Sequence, residues 1–129
     1  NLSNALGTLG DRNGALVQHR EAVRIRPDWS IALATLAGLQ ATGPDPVRDP
    51  EESVRLASRA AELSGGRDPY ILQRLGEAYA AAGQFSDAIR TAEAADGLAS
   101  QSAPALAAQI RAELTLYRAG VRVVTVTSR

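Results

Sequence analysis

The chain has 129 residues, a formal charge of zero from 14 Arg and 14 acidic residues, and no Cys, Met or Lys. That length suffices for one domain with a real core, and the charge balance argues against a general binder of nucleic acid or anionic membranes. The lack of Cys excludes disulfides, thiolate metal sites and cysteine nucleophiles. No apolar run approaches the ~20 residues that span a bilayer. No signal-peptide pattern is visible, and the compartment stays open, with a slight lean to the cytoplasm.

Abundant Ala and Leu, scarce aromatics and few β-branched residues before the last ten positions favour closely packed helices. In chain order, Leu2, Leu6 and Leu9 stand at helical spacing, and Gly10-Asp11 is expected to end that segment. Asp11 or Asn13 then caps a helix running to Arg26, with Ala15, Leu16, His19, Ala22 and Val23 on its apolar stripe. Pro27 stops it, because the residue before a proline is pushed out of helical geometry. Asp28 is expected to cap a third helix from Trp29 to Thr42. The stretch 43–50, with Pro44, Pro46 and Pro50, reads as a loop.

Asp49-Pro50-Glu51-Glu52 has the form of a helix start: a capping carboxylate, a proline at the tolerated first position and two acids at the positive end of the helix dipole. That helix ends at Gly65-Gly66. Asp68-Pro69 repeats the device for a helix over 69–82, Gly83 turns the chain, and a further helix covers 85–98, fraying near Asp96-Gly97. Pro104 opens the last helix, to Ala119, with Leu106, Ile110, Leu114 and Tyr117 inside and Arg111, Glu113 and Arg118 on a wet face. The tail 121–129 alternates Val with polar residues, a strand-like preference with no partner strand. It is expected to be disordered or held only by tertiary contacts.

Self-comparison organises these elements. Ala15, Ser53 and Ala88 align, as do Leu16, Val54 and Ile89, His19, Ala57 and Ala92, and Ala22, Ala60 and Ala95; the spacings are 38 and 35 residues. With Leu72, Leu75-Gly76, Tyr79, Gly83, Phe85, Ala88 and Ala95, the unit 68–101 resembles a tetratricopeptide repeat, whose period is about 34 residues. Units 1–28 and 29–67 are weaker copies. The resemblance covers residues 1–120, and the chain looks like the C-terminal repeats of a longer bacterial protein of that family. It implies an all-α fold: a right-handed superhelical stack of antiparallel helix pairs, an α-solenoid, with a capping helix at 103–119 and 121–129 as a tail. Leu72, Leu75, Gly76, Tyr79, Ala88 and Ala95 are then repeat-packing residues, the small ones standing where helices pass closely.

The resemblance further implies a non-catalytic interaction scaffold. In this family, the first helix of each repeat lines a groove that binds a peptide or protein segment. The groove positions here are Asn1, Asn4, Ile31, Gly38, Tyr70, Gln73, Arg74 and Glu77. The Lys and Asn set that clamps a carboxylate in chaperone-binding relatives is missing, since the chain has no Lys. The alternatives are self-association through the truncated first repeat, and an accessory repeat region of a larger enzyme such as a glycosyltransferase. No nucleophile–base pair, metal set or cofactor motif is legible, so catalytic residues, metals and cofactors are expected to be none. His19 and Trp29 read as packing residues, and Glu51-Glu52 as first-turn acids rather than a catalytic pair.

Overall fold

A computed structural model describes residues 9–43 and 48–124, with side chains from residue 14 onward. Among the described residues, six α-helices follow one another: α1 Leu9–Ile25, α2 Ser30–Thr42, α3 Pro50–Leu63, α4 Pro69–Ala81, α5 Phe85–Ser102 and α6 Pro104–Arg118. No strand occurs among the described residues. The expected segment around Leu2 and Leu6, and capping by the Asp11 or Asn13 side chains, lie outside what is described. The expected break at Gly10-Asp11 does not occur: the α1 backbone runs through both residues. Glycine weakens a helix by roughly 1 kcal/mol, and that is too little to stop one by itself.

The helix starts differ in how they are capped. Asp49 Oδ1 accepts from the Glu52 amide at 3.2 Å, and Asp68 Oδ1 accepts from the Tyr70 and Ile71 amides at 2.9 and 3.4 Å. Both leave a proline in the first turn, where no amide needs a partner. Asp28 does not cap α2. The cap position is Trp29, which makes no side-chain cap bond, while Arg26 lies over its ring at 4.8 Å. Gly83, at φ 81°, closes α4, and the Gln84 amide reaches back to the Tyr79 carbonyl at 2.8 Å. That left-handed turn suits a residue without Cβ. Instead of fraying at Asp96-Gly97, α5 continues to Ser102, and Asp96 accepts from Ser100 and from Arg111 of α6.

Every helix packs against the next, and α2 also packs along α4. The core is built of small side chains. Ala37, Ala41, Ala57, Ala78, Ala88, Ala92, Ala95 and Ala99 lie among Leu72, Leu75, Ile110, Leu114 and Tyr117, with Tyr79 and Phe85 packed partly buried against them. Leu33, Ala34, Ala60 and Ile71 form a second cluster between α2, α3 and α4. Polar contacts add direction. Ser53 Oγ donates to the Ala37 carbonyl at 2.6 Å, Gln40 donates to Glu52 at 2.6 Å, and Arg48 donates to the Ala81 carbonyl at the C-terminus of α4 at 2.8 Å. Of the tail, residues 121–124 are non-helical, and Val123 packs against the core. Residues 125–129 lie outside the described residues.

Gly76 sits where α4 meets α5 and α6. A Cβ there would lie 3.6 Å from the Ala88 carbonyl and 3.7 Å from the Tyr117 ring. That is ordinary contact, so one methyl fits and a larger group does not. Gly76→Ala should therefore hold or raise the thermal midpoint, while Gly76→Leu should destabilise by ~1–3 kcal/mol through overpacking. Calorimetry on the pair checks this, and equal midpoints for the two variants would contradict the packing.

Candidate functional site

Helix α4 is packed on by its neighbours, so its polar residues are largely withheld from bulk water. Gln73 and Glu77, expected on a free groove face, are only 3% and 2% exposed. The reason is that α6 lies against the middle of α4, bringing Glu113 to within 3.3 Å of the Gln73 amide nitrogen. Glu113, expected on the wet face of the last helix, is instead half-buried at this junction, while Arg111 and Arg118 are exposed. Arg111 and Arg118 pair with Asp96 and Glu93 of α5.

Arg74 is held on three sides. Its Nη1 donates to Glu77 Oε1 at 2.7 Å, and its guanidinium lies over the Tyr70 ring at 4.8 Å. Its stem fills the space beside Gly38, where a Cβ would come within 2.8 Å of Arg74 Cδ. Tyr70 in turn shares a hydrogen bond of 2.9 Å with Thr35 Oγ1. Gly38, Tyr70, Gln73, Arg74 and Glu77 thus form one connected cluster across α2 and α4. Ile31 is exposed and outside it. Asn1 and Asn4 lie outside the described residues.

A cleft of about 380 Å³ opens beside this cluster, lined by Thr42, Gln73, Arg74, Glu77, Gln109, Ala112, Glu113 and Val123. Gln109, Ala112 and Glu113 from α6, and Val123 from the tail, were not among the groove residues legible in the sequence. Their signal was faint: Gln109 and Glu113 stand one helical turn apart on the residues flanking the apolar stripe. One buried polar atom at this junction, Gln73 Oε1, makes no hydrogen bond, and the Tyr117 hydroxyl lies against the Glu113 carboxyl.

The electrostatics follow from two carboxyl groups sharing one arginine. Burial, with the Glu77 carboxylate nearby, pushes the Glu113 carboxyl up to about 9, against the partial relief of Arg74 and Gln73. Burial likewise raises the Tyr117 hydroxyl, reinforced by the negative charge of Glu113 and Glu77. For Arg74, burial alone would lower the pKa, but Glu77 and Tyr70 together lift it above the usual arginine value. The cluster at neutral pH is therefore an Arg74–Glu77 ion pair beside a protonated Glu113. Among the described residues, no group of three or more His, Asp or Glu is placed to hold a metal ion, and no helix is long and apolar enough to cross a membrane.

No protein-family model matches the chain, and no curated protein matches it.

The sign of the pH dependence is fixed by Glu113. Its folded pKa lies above the ordinary carboxylate value, so the folded chain keeps a proton that the unfolded chain releases. That stabilisation is complete below about pH 4.5 and is lost as pH rises toward 9. Thermal melts should show stability falling by ~1–3 kcal/mol between pH 5 and 9, after allowing for screening by the open cleft. Glu113→Gln, which imitates the protonated acid, should flatten that fall. A variant as pH-sensitive as the native chain would contradict the assignment.

Proposed function

We propose that the chain is a non-catalytic interaction module, a tetratricopeptide-like stack whose groove receives an extended peptide segment of a partner. The observation that carries the reading is the cleft beside α4 and α6. It is open, of side-chain size, and lined by converging polar groups on helices that pack rigidly against one another. Ligand sites generally combine a concavity of ~300–1,000 Å³ with a few placed polar groups. Support for the repeat architecture comes from the recurring small residues at 15, 53 and 88, from helix-on-next-helix packing and from the α2–α4 pairing. In this reading the groove floor is Tyr70, Gln73, Arg74 and Glu77, and α6 supplies one wall as well as covering the end of the core.

A selected peptide gives a direct test. Peptides enriched from a random displayed library against the full chain should bind in the cleft. Ala112→Trp, an exposed position on the rim, should weaken that binding at least tenfold and leave the melting temperature within a few degrees. Unchanged affinity would place the binding surface elsewhere and remove the cleft from the proposal.

One observation favours a second reading. Val17, Ile25, Trp29 and Ile31 are all exposed large apolar groups on α1 and the start of α2. Such a surface suits stacking against a further repeat or a second copy. Light scattering after size exclusion should then report self-association that weakens in Val17→Glu/Ile31→Glu. A strict monomer at high concentration would reject the second-copy version.

A further inference from the structure

The cluster holds more acid than base. Among the described residues, Arg74 is the one cation lining the cleft, and it faces two carboxyl groups, Glu77 and Glu113. Its donors and faces are already committed, to Glu77, to the Tyr70 ring and to the space at Gly38. Glu113 accepts from the Gln73 amide at 3.3 Å and lies against the Glu77 carboxyl and the Tyr117 hydroxyl, with no cation of its own among the described residues. The other atom of that amide, Gln73 Oε1, belongs to a residue 97% buried and has no donor at all. Gln73 Oε1 is an acceptor, Glu113 becomes purely one when it ionises, and both residues line the same cleft.

We propose that the cleft takes one cationic side chain, Arg or Lys, from the partner peptide, with Glu113 as its counter-ion and Gln73 Oε1 as a second acceptor. The proposal rests on the peptide-groove reading and specifies its ligand. A guanidinium or ammonium group carries several donors and no acceptor, so it satisfies both atoms at once. Ala112 and Val123 offer apolar surface to the methylene stem of such a side chain. An anionic group would be repelled by the Glu77 carboxylate and would keep Glu113 protonated, and a neutral amide offers no charge to draw the proton off Glu113. In the empty cleft a proton neutralises Glu113, and the guest cation replaces it. Besides Glu77, the titratable or charged groups facing Glu113 are Arg74 and Tyr117. Binding therefore releases a proton and strengthens as pH rises.

The test titrates the full chain, by calorimetry at pH 6, 7, 8 and 9, with blocked pentapeptides Ala-Ala-X-Ala-Ala in which X is Arg, Lys or the neutral isostere citrulline. Arg and Lys peptides should bind at least tenfold more tightly than citrulline at pH 8. Their affinity should rise with pH, by up to tenfold per unit. Glu113→Gln should abolish both the preference and the pH slope. Ala112→Arg, at an exposed position, should fill the site in cis and block the Arg peptide, whereas Ala112→Gln should not. This second pair decides the matter if Glu113→Gln does not fold. Equal binding of Arg and citrulline peptides, blocked by Ala112→Trp, would overturn the cation assignment and leave the groove reading standing. Binding of no pentapeptide of any class would overturn both. Blocked arginine amide binding as tightly as the pentapeptide would overturn the peptide as its source.

Discussion

The rest of the structure depends on the enclosure of α4. It packs against α2, α3, α5 and the crossing helix α6, and nine of its thirteen residues are buried. Backbones approach that closely only where side chains are small, and the second half of α4, after Leu72 and Leu75, carries Gly76, Ala78, Ala80 and Ala81. The larger volume comes from its neighbours, above all the Tyr117 ring lying over Gly76. A core made this way gains little from any single residue. Its cohesion is the sum of many close contacts over short side chains.

Enclosure has an electrostatic consequence. A surface helix would solvate Gln73, Arg74 and Glu77, whereas here they must find partners within the fold. Arg74 and Glu77 find each other, and stacking on Tyr70 holds the guanidinium in place. Glu113 then arrives on α6 as a second carboxyl with no second cation. Burying an uncompensated charge costs several kcal/mol, so the group takes up a proton instead. The same imbalance makes the junction sensitive to pH and underlies the proposal that it takes a cation. One helix thus serves both sides: α6 packs Ile110, Leu114 and Tyr117 into the core and lines the cleft with Gln109, Ala112 and Glu113.

Much of the helix layout was legible because it rests on local chemistry. The pairs Asp49-Pro50 and Asp68-Pro69 act within one turn, and the left-handed Gly83 acts within one peptide unit. Their outcomes do not depend on what lies across the fold. Signals that rest on propensity alone were weaker. Gly10-Asp11 and Asp96-Gly97 looked like helix ends, yet the helices continue through both, and α5 is held there by the Asp96–Arg111 pair with α6. Asp28 looked like a cap, but α2 begins one residue later, at a turn where Trp29 meets Arg26.

By itself, the sequence determined the helical class, most helix boundaries, and the small residues Gly76, Ala88 and Ala95 as buried positions. All of these follow from periodicity, capping and volume along a single chain. Only the tertiary structure decided which polar residues face inward. Gln73 and Glu77 share a helical face whose exposure depends on whether another helix crosses it. The crossing of α6, forty residues further along, turned that face from open surface into a buried wall and set Glu113 opposite it. Spacing records which residues share a face. It carries no information about what comes to lie against that face.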